Sequence, residues 1–290
     1  MEKLIVNFAP TGMLMRKKDT PFIPVAAEEI VEDVRKAYQI GISCVHIHAR
    51  DSRTEDPVWE KHYFEDIILG IREFAPELVI SVTTSGRLYN EFEKRSDVLD
   101  LDGMAKPDMA SLTLSSLNFN KTASVNSPDM IQKLAGKMKE RGIRPELEVF
   151  DAGMINYAKY LIKKGLIRPP YYFNLIMGNI ACAQADLLHA GILLNDLPEG
   201  SVPVIGGIGD AQLKMNALAI SMGYGIRIGL EDNIWYDEER TILATNEAYL
   251  ERIHVIAEAL GRSVCAGKEL REVLQLKPGN GEYGVAVTNG

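Results

Sequence analysis

The chain has 290 residues, 46% of them hydrophobic, enough for one large core, and a formal charge of -8 from 40 acidic and 32 basic side chains. That acidic balance argues against a nucleic-acid surface. No apolar run approaches the roughly 18 residues of a membrane span, and the first residues turn polar too soon for a signal peptide. Three scattered cysteines, Cys44, Cys182 and Cys265, form no CxxC pair and read as reduced thiols of a cytoplasmic protein.

In chain order, short β-branched runs alternate with longer amphipathic segments. Strands are predicted at 4–8, 44–48, 79–83, 109–112, 146–150, 172–176, 202–206 and 225–228. Helices are predicted at 24–40, 63–74, 92–99, 129–141, 154–164, 181–194, 210–222 and 246–260. The first helix sets Ile30, Val31, Val34, Ala37 and Tyr38 at helical spacing, with Glu28, Glu29, Glu32, Asp33, Arg35 and Lys36 on the other face. Eight alternations without a break in composition predict a single-domain (β/α)8 TIM barrel over residues 1–276, with 277–290 as a C-terminal arm or partner-contacting segment. An open doubly wound sheet is the runner-up, but no GxGxxG follows the first strand.

A barrel carries its chemistry in the loops at the C-terminal ends of its strands. The second strand is the most telling: Cys44-Val45-His46-Ile47-His48-Ala49-Arg50-Asp51 turns His46 and His48 to one face, with Val45 and Ile47 behind them. Two imidazoles about 6.6 Å apart at Cα can converge on one cation. Without a metal or partners, several buried ring nitrogens would be left unsatisfied. Glu231 lies just past the eighth strand, which closes near the first, and completes a His2Glu set with open positions, as in a catalytic Zn2+ site. Mn2+ and Fe2+ accept the same donors. The plainer readings are a histidine pair filling the barrel interior and a solvated loop carboxylate. After the seventh strand, Gly206, Gly207 and Gly209 form either a phosphate cradle suited to CoA or an ordinary glycine-rich turn. Arg16, Lys17 and Lys18 read as a solvated charge run, and His62, His189 and His254 as surface or packing residues.

Five segments in register then carry a family resemblance. They are Thr11-Gly12, the His46–His48 strand, Lys106-Pro107-Asp108-Met109-Ala110-Ser111-Leu112, Pro145-Glu146-Leu147-Glu148-Val149-Phe150-Asp151-Ala152-Gly153 and Gly229-Leu230-Glu231-Asp232-Asn233. Together they resemble the β-keto acid cleavage enzymes. The resemblance implies a zinc-dependent barrel, commonly a homotetramer, that reacts a β-keto acid with acetyl-CoA to give acetoacetate and a new acyl-CoA. It puts the metal ligands at His46, His48 and Glu231, and the proton-transfer pair at Arg227 and Asp232. Its hydroxyl residues fall on Thr83 and Ser111, and Thr83 joins Arg227 and Asp232 as a catalytic candidate. With Ser85 and Gly86 of the loop after the third strand and Leu14 of the first, Thr83 and Ser111 are the candidates for substrate contact. Family members that act on an amino-substituted substrate carry an acidic residue two positions after the glycine of Thr11-Gly12; this chain has Leu14 there. A β-keto acid with a neutral or apolar distal group is therefore expected. The competing readings are another metal-dependent barrel enzyme and a non-catalytic ligand-binding barrel. An amidohydrolase-like hydrolase would need His-x-His on the first strand and further histidines on the fifth and sixth.

Overall fold

A computed structural model describes residues 3–287. Eight parallel strands close into a barrel: β1 (Val6–Phe8), β2 (Cys44–Ile47), β3 (Val79–Val82), β4 (Met109–Thr113), β7 (Arg144–Val149), β8 (Tyr171–Met177), β9 (Ser201–Gly207) and β10 (Gly225–Ile228). They run round the barrel in chain order, and β10 pairs back onto β1 through Asn7 and Arg227. The (β/α)8 TIM barrel read from the sequence is the fold. Among the described residues no helix is long and apolar enough to cross a membrane.

Alternation along the strands stacks the barrel interior in layers. Cys44, Val79, Met109, Tyr172 and Val204 form an apolar floor with Cys265, Leu270 and Leu274 below. Two residues further along β2, β3 and β8, His46, Ser81 and Asn174 make a polar layer with Glu146 of β7, joined by Asn7. Two residues further again, His48, Thr83, Glu148 and Ile176 reach the open mouth. The outward residues between them, such as Val45, Ile47, Ile80 and Leu147, pack against the helices.

The helix α1 (Ala27–Ile40) buries Ile30, Val34 and Ala37, as its periodicity predicts. Two elements differ from the sequence reading. The helix predicted from 181 begins only at Leu187, because Asp186 caps α6 (Leu187–Asp196) by accepting from the His189 N–H at 2.8 Å. A hairpin of β5 (Leu117–Asn118) and β6 (Ala123–Ser124), too short for a periodic signal, stands after β4.

Residues 277–287, the greater part of the predicted arm, fold beneath their own barrel. Fully buried Asp108 accepts from Arg72 at 2.7 Å, from Arg271 of α9 (Gly267–Val273) at 2.8 and 2.9 Å, and from the Gly284 N–H at 3.1 Å. The Tyr283 ring lies 3.7 Å from the Arg72 guanidinium carbon. Residues 288–290 of the arm lie outside the described residues.

Candidate metal and active site

His46 is held from behind. Its Nδ1 lies 2.7 Å from Glu146 Oε2, which leaves Nε2 facing the mouth. Glu146 is completely buried, yet both of its oxygens are satisfied: Oε1 accepts from Asn7 and Asn174, and Oε2 from Ser81 and His46. Burial would raise this carboxyl, but His46, Arg227 and the Ser81 hydroxyl bring it down to about 2. Burial would lower the His46 imidazole, but the carboxylates of Glu146 and Glu231 push it up to about 9. His48, equally enclosed, is lowered, because burial and the neighbouring imidazole outweigh Glu231.

The Nε2 atoms of His46 and His48 are 3.2 Å apart, and His48 Nε2 is 3.2 Å from Glu231 Oε1. All three donor atoms lie within 4.8 Å of one another. Two imidazole nitrogens that close are held by a shared proton or by a cation. Around a tetrahedral Zn2+ with bonds near 2.1 Å, neighbouring donors sit about 3.4 Å apart, close to both spacings. Glu231 Oε2 is buried with no hydrogen-bond partner, a second sign of room for an electropositive group. The donor set fits a divalent metal.

Gly12 explains part of this geometry. Its φ of +61° suits glycine, and a Cβ there would stand 2.6 Å from Glu231 Cγ. The Thr11-Gly12 motif therefore leaves space for the Glu231 side chain. On the other side, Arg227 Nε donates to Asp232 Oδ2 at 2.7 Å and Nη2 lies 2.7 Å from Glu231 Oε1, while Nη1 has no partner. Burial opposes the guanidinium's charge, but Asp232 and Glu231 keep its pKa well above the usual arginine range. Asp232 is raised, burial and Glu231 outweighing Arg227.

His48, Thr83, Ser85, Arg227, Glu231 and Asp232 open together onto a cavity of about 600 Å³, and Leu14 stands at its rim, about half exposed. Other expected residues lie elsewhere. Ser111 is buried under the third loop, where its Oγ accepts from the Thr84 N–H at 3.1 Å. Gly86 is pressed against the Val125 carbonyl, 2.5 Å from where its Cβ would be. Gly206 packs on the Arg227 side chain and Gly207 on the Ala211 backbone, so their lack of a side chain serves close packing. Gly209 donates its N–H to the Asp232 carbonyl at 2.8 Å. Among the residues with no role in the sequence reading, Glu146 is the most consequential, and Arg87 also faces the cavity.

Fold and site together define a TIM-barrel enzyme whose polar centre sits at the C-terminal ends of the strands. Residues 3–276 match the beta-keto acid cleavage enzyme family, and the chain belongs to that family of enzymes. It is 35% identical over 280 residues to a 3-keto-5-aminohexanoate cleavage enzyme of Fusobacterium nucleatum subsp. nucleatum, covering 96% of this chain and 99% of the relative. It is 34% identical over 275 residues to a 3-oxoadipate:acetyl-CoA acetyltransferase of Cupriavidus necator, covering 94% of each. Among solved structures, a binary complex of ObcA with oxaloacetate shares the fold, with a TM-score of 0.72 at 19% identity over 88% of this chain and 68% of that one.

Proposed function

We propose that this chain is a divalent-metal-dependent enzyme, with Zn2+ as the metal and Mn2+ or Fe2+ as alternatives, that reacts a β-keto acid with acetyl-CoA. The observation that carries the reading is one cavity lined by His48, Glu231 and the Arg227–Asp232 ion pair, with His46 Nε2 3.2 Å from His48 Nε2 completing the donor set. Held by those three ligands, a divalent cation supplies Lewis-acid polarisation of a substrate oxygen. Asp232 takes a proton from the methylene between ketone and carboxylate; its Oδ1, 3.5 Å from Arg227 Nη2, is the less engaged oxygen. Arg227 holds that carboxylate in place, and its unpartnered Nη1 is free to donate to the charge that develops on the substrate. The Thr83 hydroxyl, at the cavity wall, donates to the substrate carboxylate. The methylene carbon, deprotonated, attacks the acetyl thioester. The acetyl C–S bond breaks, the released CoA thiolate adds to the ketone carbon of the original acid, and the old carbon–carbon bond breaks. Asp232 returns its proton to the methylene carbon, giving acetoacetate and a new acyl-CoA. The cytoplasmic homotetramer implied by the family resemblance belongs to the same reading. Mixing the metal-loaded protein with a set of β-keto acids and acetyl-CoA, and weighing each acyl-CoA formed, tests it. No acyl-CoA from any of them overturns it.

Glu146 is the group that fixes the first ligand. Glu146→Gln keeps the shape but removes the charge that holds Nδ1–H of His46. Metal affinity is expected to fall by about 10–100-fold, the usual effect of losing such a partner. Competition with a chelator reads it, and unchanged affinity would show that His46 needs no carboxylate behind it.

Leu14 sets a limit on the distal substrate group. It lines the cavity rim and supplies no counter-charge, so an ammonium that packs against it gives up water with no gain from this side chain. A neutral or apolar distal group is expected to be preferred over an amino group by at least about 10²-fold in kcat/KM, at 1.36 kcal/mol per decade. Leu14→Glu is expected to narrow or reverse that ratio. Equal turnover of 3-keto-5-aminohexanoate by the unmodified chain overturns the assignment.

A further inference from the structure

Arg87 is the cation of the cavity that the reaction above does not use. It follows β3, lines the same cavity as His48, Glu231 and Asp232, and is only partly exposed. Its guanidinium carbon lies 3.5 Å from the centre of the Phe119 ring, on the β5–β6 hairpin. That contact fixes one face of the guanidinium and leaves its edge donors free. Among the described residues no carboxylate lies within salt-bridge distance of Arg87, and its side chain donates no hydrogen bond. Other buried arginines of the chain are paired or donate to backbone carbonyls: Arg72 and Arg271 to Asp108, Arg95 to Thr84 and Asn126, Arg227 to Asp232.

Each acidic side chain of the cavity has a partner other than Arg87 on at least one oxygen. Glu231 and Asp232 pair with Arg227, Glu148 accepts from Thr113 Oγ1 at 2.6 Å, and Asp19 accepts from the Arg16 N–H at 3.0 Å. Burial holds the Arg87 guanidinium below its ordinary value, while Glu231, Glu148 and Asp232 act across the cavity to raise it. A stacked guanidinium without a partner, opening onto a ligand cavity, is a ready fork for a carboxylate.

We propose that Arg87 binds the distal carboxylate of the substrate, making this a site for β-keto diacids. The proposal rests on the reading of the cavity as a β-keto acid site. It extends the limit set by Leu14: that side chain offers no charge to an ammonium, whereas Arg87 offers one to an anion in the same cavity. Distal groups are then ranked as anionic, then neutral, then cationic.

Two substrates of equal length separate the idea from simple fit: 3-oxoadipate ends in a carboxylate at the carbon where 3-oxohexanoate ends in a methyl. The unmodified enzyme is expected to favour 3-oxoadipate by about 10²-fold in kcat/KM, or about 2.7 kcal/mol at 1.36 kcal/mol per decade. Arg87→Met is expected to collapse that ratio toward one, through loss on the diacid. Arg87→Lys keeps the charge and retains part of the preference, which a merely structural role would not do. No preference in the unmodified enzyme overturns the proposal. So does an equal loss on both substrates with a raised KM for acetyl-CoA, which would assign Arg87 to a CoA phosphate. Calorimetric binding of the two acids to the metal-loaded protein without acetyl-CoA is expected to show the same preference. A binding preference with no turnover leaves Arg87 in place and sinks the assigned reaction instead.

Discussion

With His46 and His48 both replaced by alanine, the purified protein is expected to hold almost no divalent metal, against about one ion per chain beforehand. Each imidazole supplies one of only three protein donors, and the remaining carboxylate, Glu231, is already shared with Arg227 at 2.7 Å. A single carboxylate does not hold Zn2+ against water, so the loss should be nearly complete rather than graded. Each single variant should lose most of the metal and all but background acyl transfer. Alanine also opens space in the polar layer, where Glu146 would lose its charged partner. Circular dichroism and a melting curve therefore accompany the metal assay. Elemental analysis of the double variant decides the matter, since full occupancy there would falsify the ligand assignment.

Turnover in Asp232→Asn is expected to drop by at least about 10²-fold, the lower range for loss of a general acid or base. The amide fills the same volume and can still place an oxygen 2.7 Å from Arg227 Nε, so the loop after β10 should keep its shape. The metal should stay, because the three donor atoms are contributed by other residues. Rate and metal content must therefore part company in this variant. Near-normal turnover would move proton transfer to another group, and metal loss would make Asp232 a ligand.

How far the sequence reveals this site depends on whether a residue acts through its own strand or through a neighbour. His46 and His48 are legible because two-residue alternation is a local property, and one segment carries both the spacing and the apolar backing. Glu146 and Glu148 alternate with Leu147 and Val149 in the same way, so their inward direction was open to view. The contact between Glu146 and His46 was not, because it spans 100 residues and joins β7 to β2 across the barrel interior. Ser111 shows the converse failure. It sits on an inward register position, but Thr84 claims its hydroxyl beneath the loop. Glycine is ambiguous in the same manner: the pair at Gly206 and Gly207 fits a phosphate cradle on paper, whereas in space Gly206 admits the Arg227 side chain and Gly207 the Ala211 backbone. The β5–β6 hairpin, which positions Phe119 against Arg87, has strands of two residues and no period to detect.

The apolar floor of Cys44, Val79, Met109, Tyr172 and Val204 separates two charged assemblies that would otherwise share one interior. Above it lies the metal cluster, and below it Asp108 is clasped by Arg72, Arg271 and the returning C-terminal segment. Groups without shared partners contribute to stability nearly independently. The lower clasp thus acts as ballast: it fastens the C-terminal segment to the base of the barrel while the mouth is left free to vary. Exchanges at Leu14 or Arg87 can retune which acid enters, and the closure of the barrel does not register the change.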